Sequence, residues 1–233
     1  MNDLFSIWPS LLMGLAVPLG VIIALFFNKK RGSTSFQSVL YGFGTFIFSL
    51  LLVAVLLLFF SELFLSSVTL SGDDNTDAYI IIGGSVILFL FYLISEFLKQ
   101  ISFYAVLKTE KKNMAGLSFG CGFVIAQNLL IFGLAYISEI DVTQALFFGL
   151  LMLISGIIYI LLSALNYQLV EEKHRIAGSA ISFLYYLMYA VMLIFANVYV
   201  TYSFCGVVLL LTLGASYLIL PLPFKKQIGG EKR

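Results

Sequence analysis

The chain has 233 residues, 61% of them hydrophobic and 11% charged, with a formal net charge of +1. Soluble domains carry about 25% charged residues and roughly half apolar ones, so a water-soluble globular protein is excluded, and the near-neutral balance leaves no basic face for nucleic acid. The two cysteines, Cys121 and Cys205, both lie in apolar runs, which excludes a disulfide framework or a zinc ribbon.

A helix needs about 20 apolar residues to cross the hydrocarbon core of a bilayer. Seven stretches qualify: 5–27, 39–60, 79–107, 115–137, 142–165, 176–198 and 203–220. The first lacks the basic leader and small-residue cleavage site of a signal peptide and reads as a retained span. The last ends at Pro221 and Pro223, which suit a helix stop. No linker or repeat interrupts the array, so residues 1–233 form one polytopic domain. The expected fold is an all-α bundle of seven transmembrane helices.

Charge in the connections sets the expected orientation. Lys29, Lys30 and Arg31 follow span 1, and Lys108, Lys111 and Lys112 follow span 3. Lys173 and Arg175 follow span 5, and Lys225, Lys226, Lys232 and Arg233 follow span 7. The alternate connections hold no Lys or Arg and carry Glu62, Asp73, Asp74, Asp77, Glu139 and Asp141. The positive-inside rule then puts the N-terminus outside and the C-terminus in the cytoplasm. The longest connection, 61–78, contains Ser71-Gly72-Asp73-Asp74-Asn75 and reads as a solvated external loop. It lacks the longer ligand pattern of a calcium loop. Trp8, Tyr199 and Tyr202 fit an interfacial aromatic belt.

Ionisable groups inside a span are costly and mark functional candidates. Span 3 holds Glu96 and Lys99, and Glu96 lies roughly 18 Å from the cationic end of its helix. The two are three residues apart and share a face. Gln127 and Asn128 reach a similar depth in span 4. The short connection between these spans makes them antiparallel neighbours, so Glu96 is expected to meet the Gln127-Asn128 pair in the interior. Gly116, Ser118, Gly120 and Gly122 repeat small-xxx-small spacing and form expected helix-packing faces. Ser155, Ser163 and Asn166 of span 5, and Ser182, Tyr185, Tyr186 and Tyr189 of span 6, read as local hydrogen-bonding groups. His174, the sole histidine, reads as a solvated loop residue. No metal-ligand set, serine base, phosphate loop or dinucleotide fingerprint is present, so no metal or cofactor is expected. On residue chemistry alone, a structural junction outranks a catalytic one for Glu96, Lys99, Gln127 and Asn128.

Ser95-Glu96-Phe97-Leu98-Lys99 resembles the Glu-Glu-x-x-Lys/Arg motif of the CAAX-protease-related intramembrane proteases, which include the PrsW and YhfC families. The run Gly120-Cys121-Gly122-Phe123 through Gln127-Asn128 is similar to their second motif, Gly-x-Gly-Phe/His-x-x-x-Glu-Asn/Ala. The same helices resemble the seven-helix APH scaffold subunit of gamma-secretase, whose motifs read Gln-Glu-x-x-Arg and Gly-Leu-Ser-Phe-Gly, as at Gly116–Gly120. This resemblance covers about 35 residues in spans 3 and 4, with topology supporting the rest. It implies an intramembrane-protease fold in which Glu96 and Asn128 are the surviving catalytic residues, with Lys99 beside them.

Departures from the pattern imply loss of proteolysis. Ser95 and Gln127 stand where the family has glutamates, Phe123 stands where the YhfC family has histidine, and the later spans carry no histidine. A water-activating glutamate needs partners for the water or the oxyanion, and few remain. The expected function is a non-catalytic scaffold or partner-binding subunit for another integral membrane protein. The alternatives are an active glutamate-dependent intramembrane protease and a small transporter subunit using Glu96–Lys99 as a coupling site. No sorting signal or prenylation cysteine appears, which points to a bacterial cell membrane.

Overall fold

The computed structural model describes residues 4–27, 36–69, 76–109, 115–137, 142–195 and 198–219. They form seven helices: α1 (Leu4–Phe27), α2 (Phe36–Thr69), α3 (Thr76–Thr109), α4 (Ala115–Ile137), α5 (Val142–Glu171), α6 (Arg175–Phe195) and α7 (Val198–Ile219). All seven are long and apolar enough to cross a membrane. The basic segment 29–31, the acidic runs 71–75 and 139–141, Lys111 and Lys112, and the tail from 220 with its two prolines lie outside the described residues.

α4 begins and ends where its apolar run does, and α1 differs from its run by one residue. The connection at 61–78 is a correction. Helix continues through Thr69 and resumes at Thr76, so both flanks of the expected loop are helical. The reason lies in 61–69, which contains no Gly or Pro to end α2. α2 and α3 are 34 residues each, about 51 Å long, against a hydrocarbon core of about 30 Å. α5 likewise runs past the end of its apolar stretch, from 165 to Glu171.

α4 and α5 form the centre of the bundle. Of their spanning residues 56% are buried, against 22–28% in the other five helices. α4 packs on α1, α2 and α5, while α5 also takes α6 and α7. α3 sits at the edge, on α2 and α6. The expected side-by-side packing of α3 and α4 is therefore not found. They touch through the rings of Phe103 and Phe119, with centroids 4.9 Å apart. The small-residue faces of α4 explain this, because both are already occupied. Gly116 and Gly120 press on Ser163, Ala164 and Ile160 of α5, and Gly122 presses on α2.

The α2–α4 crossing brings two backbones into contact. A Cβ on Gly122 would strike the carbonyl oxygen of Val39, and one on Gly42 would strike that of Phe119. Reciprocal glycines of this kind let helices approach closely where packing, rather than exclusion of water, drives association. The main core centres on Phe46, Phe123, Ile158, Tyr159, Leu162, Leu165 and Tyr185. A second cluster, with Phe103, Val106, Phe119, Tyr167 and Val170, closes the end near the α5–α6 turn. Large apolar side chains such as Phe97, Leu58 and Leu210 point outward and are 66–75% exposed, a surface suited to lipid rather than water.

The α5–α6 turn is a Schellman motif. His174 N–H donates to the Leu169 carbonyl at 2.7 Å and Lys173 N–H to that of Val170 at 3.1 Å. Lys173 takes the left-handed position, with φ 69°. His174 is exposed in this turn. At the opposite end Trp8 packs its ring near Phe132, and the Tyr202 hydroxyl donates to the Phe147 carbonyl at 2.7 Å.

Candidate functional site: a buried ionic cluster and two amide anchors

α3 turns its polar residues inward. Ser95, Glu96 and Lys99 are buried, whereas Leu93, Phe97, Ile101 and Tyr104, on its other side, are exposed. Glu96 and Lys99 form an ion pair across one turn, with Lys99 Nζ on Glu96 Oε2. The other carboxylate oxygen, Oε1, accepts from Gln100 Nε2 and from Asn166 Nδ2, each at 2.9 Å. Oε1 thus takes two amide donors of this chain, and Oε2 faces the ammonium.

The lysine is equally well placed. Its ammonium donates to Ser182 Oγ at 2.8 Å and lies 5.8 Å from the centroid of the Tyr159 ring, within cation–π range. Ser182 also accepts from Asn166 Nδ2 at 2.8 Å and gives its own proton to the Gly178 carbonyl at 3.2 Å. One hydroxyl donor and two acceptor sites are the full capacity of a serine. Gln100 Nε2 is also 3.2 Å from Asn166 Oδ1 and from Ser179 Oγ. Gly178 admits Asn166, because a Cβ there would strike its Oδ1. The cluster therefore joins α3, α5 and α6.

Gln127 and Asn128 are not part of it. Gln127 Oε1 accepts from Tyr185 at 2.5 Å and its Nε2 donates to Tyr189 at 2.8 Å. Asn128 Nδ2 donates to the Gly14 carbonyl of α1 at 2.7 Å. The expected meeting of Glu96 with this pair is overturned, since α3 does not lie along α4. Aromatic rings fill the region instead. Phe123 stacks on Tyr159 at 4.1 Å, and Tyr185 stands edge-on to both Tyr159 and Tyr186. Tyr186 shares a 2.5 Å hydrogen bond with Ser95, the position where the resembled motif has a glutamate.

Sequence reasoning found Glu96 and Lys99 and missed Gln100, Asn166 and Ser182 as their partners, with Ser179 behind Gln100. A signal was present. Ser155, Tyr159, Ser163 and Asn166 recur at helical spacing on α5, as do Gly178, Ser182, Tyr185 and Tyr189 on α6. Two polar stripes on otherwise apolar helices mark faces that must meet each other or a third polar face.

A cleft of about 130 Å³ opens between α3 and α6, walled by Leu88, Phe89, Phe183 and Leu187 with Ser85 and Tyr186. Neither Glu96 nor Asn128 lines it. Among the described residues no three His, Cys, Asp or Glu side chains assemble into a metal-binding group.

No family model, curated protein or solved structure matches the chain. The residues themselves carry the functional argument.

Proposed function

We propose that this chain is a non-catalytic integral membrane protein with a degenerate intramembrane-protease-like fold, acting as a scaffold or partner-binding subunit for another membrane protein. One observation carries the reading: the two residues assigned to catalysis by motif are committed to different structural tasks. Glu96 is paired with Lys99 and bonded through Oε1 to Gln100 and Asn166, while Asn128 holds a backbone carbonyl of α1. A general base must be free to take a proton from a bound water within about 3 Å. Glu96 does not line the cleft between α3 and α6, and its charge is held against Lys99 instead. The charged connections support an orientation with the N-terminus outside.

The test is affinity purification of the tagged chain from its native membrane in mild detergent, wild type beside Glu96→Gln. Co-purifying proteins are quantified by mass spectrometry, and the elution profile of each variant reports its folding. A stoichiometric membrane partner, diminished in the mutant, is the expected result. Wild type emerging alone, with the mutant trapping uncleaved membrane proteins, overturns the reading in favour of a protease.

A further inference from the structure

α1 carries Pro18 in its interior. Proline has no N–H, so the carbonyl four residues earlier loses its helical donor, and the ring also crowds it. Here that carbonyl belongs to Gly14. In an apolar bundle it has no water to turn to, and neighbouring helices must satisfy it. Asn128 of α4, only 1% exposed, donates its side-chain amide to this carbonyl at 2.7 Å. The absence of a side chain on Gly14 eases the approach. A Cβ there would lie 3.1 Å from Asn128 Nδ2 and 3.3 Å from Met152 Cβ of α5.

We propose that Asn128 stands in for the N–H that Pro18 lacks, and that the Gly14–Pro18 turn is a hinge which α4 latches shut. The two arms of α1 differ as a hinge requires. The arm before it is wedged: Ser10, Leu11 and Gly14 are buried, and a Cβ on Gly149 of α5 would come 2.8 Å from Ser10 Cα. Beyond Pro18, no residue in 19–26 is fully buried: Val21 and Ile22 rest one side against the main core, and a Cβ on Gly20 would meet nothing within 4 Å. The adjacent Gln127 fastens α6 through Tyr185 and Tyr189. One dipeptide on the central helix thus latches α1 on one side and α6 on the other. This inference stands apart from the partner-binding reading, because it assigns Asn128 a role whether or not a partner exists.

The experiment is hydrogen–deuterium exchange on the full chain in phosphatidylcholine/phosphatidylglycerol nanodiscs, with wild type, Asn128→Ala, Pro18→Ala and the double variant. Asn128→Ala is expected to speed exchange across 19–26 by roughly three- to fivefold and to leave α4 unchanged. In the Pro18→Ala background the same substitution is expected to change little, because the alanine backbone supplies the missing N–H. If Asn128→Ala does not fold, restored folding in the double variant supports the latch. Unchanged exchange in Asn128→Ala, an equal rise in both backgrounds, or failure of the double variant to fold overturns it.

Discussion

Asn166 holds Glu96 from a helix that the chain reaches only after completing α4: its amide meets the carboxylate at 2.9 Å, from α5 to α3. The same amide nitrogen reaches Ser182 of α6. Three helices are joined by one side chain, and the charge at the centre is balanced within a single turn of α3 by Lys99.

That balance makes the two partners unequal to their sum. Lys99→Met leaves a buried carboxylate without its counter-charge, which costs about 3–5 kcal/mol when an ion pair is broken from one side. Glu96→Gln combined with Lys99→Met removes both charges and is expected to recover much of the loss. Equilibrium unfolding in mixed micelles measures both. A double variant no more stable than Lys99→Met contradicts the account.

The α2–α4 crossing is expected to be the least forgiving contact. Gly122→Ala forces a methyl onto the Val39 carbonyl, and overpacking of this kind costs about 1–3 kcal/mol. Gly133, on the same helix, faces open space. Gly133→Ala is expected to be neutral or to gain about 0.5–1 kcal/mol from helix propensity. Thermal unfolding of the two variants side by side checks the contrast.

Tyr185→Phe removes the donor to Gln127 Oε1 in the buried core. An orphaned buried acceptor costs about 1–3 kcal/mol. Tyr202→Phe deletes an exposed bond to the Phe147 carbonyl and is expected to stay within about 0.5 kcal/mol. The same unfolding assay separates them.

Lys173 occupies the left-handed position of the α5–α6 turn, a conformation that costs a residue with a Cβ about 1–2 kcal/mol. Lys173→Gly removes that cost but gives more freedom to the unfolded chain, which offsets about 0.5–1 kcal/mol. The net expectation is a gain of about 0.5–1 kcal/mol, read as a higher midpoint of thermal unfolding. A loss in the same assay counts against the turn geometry.

The helices were legible to the extent that their ends are written in local chemistry. α4 stops where its apolar run stops, whereas α2 overruns because Ser61 and Glu62 are polar without being helix breakers. Glu96 and Lys99 stand out in any apolar run. Their partners are marked only as polar stripes on α5 and α6, and Asn166 and Ser182 find Glu96 and Lys99 once those helices are set beside α3. The one neighbour relation assumed from a short connection, α3 on α4, failed for a steric reason. Gly116, Gly120 and Gly122 had already given the faces of α4 to α5 and α2, and adjacency in sequence does not override a close backbone crossing.

The spacing of Glu96 and Lys99 has a consequence for biogenesis. Synthesis proceeds from the N-terminus, so α3 emerges before Asn166 and Ser182 exist. For a helix entering a bilayer alone, each charge at its centre costs about 2.5–3.5 kcal/mol on the scale of the insertion machinery. Because carboxylate and ammonium sit one turn apart, α3 carries its own counter-ion and requires no later helix to neutralise it. The amides of Asn166 and Gln100 then refine a pair that has already been delivered.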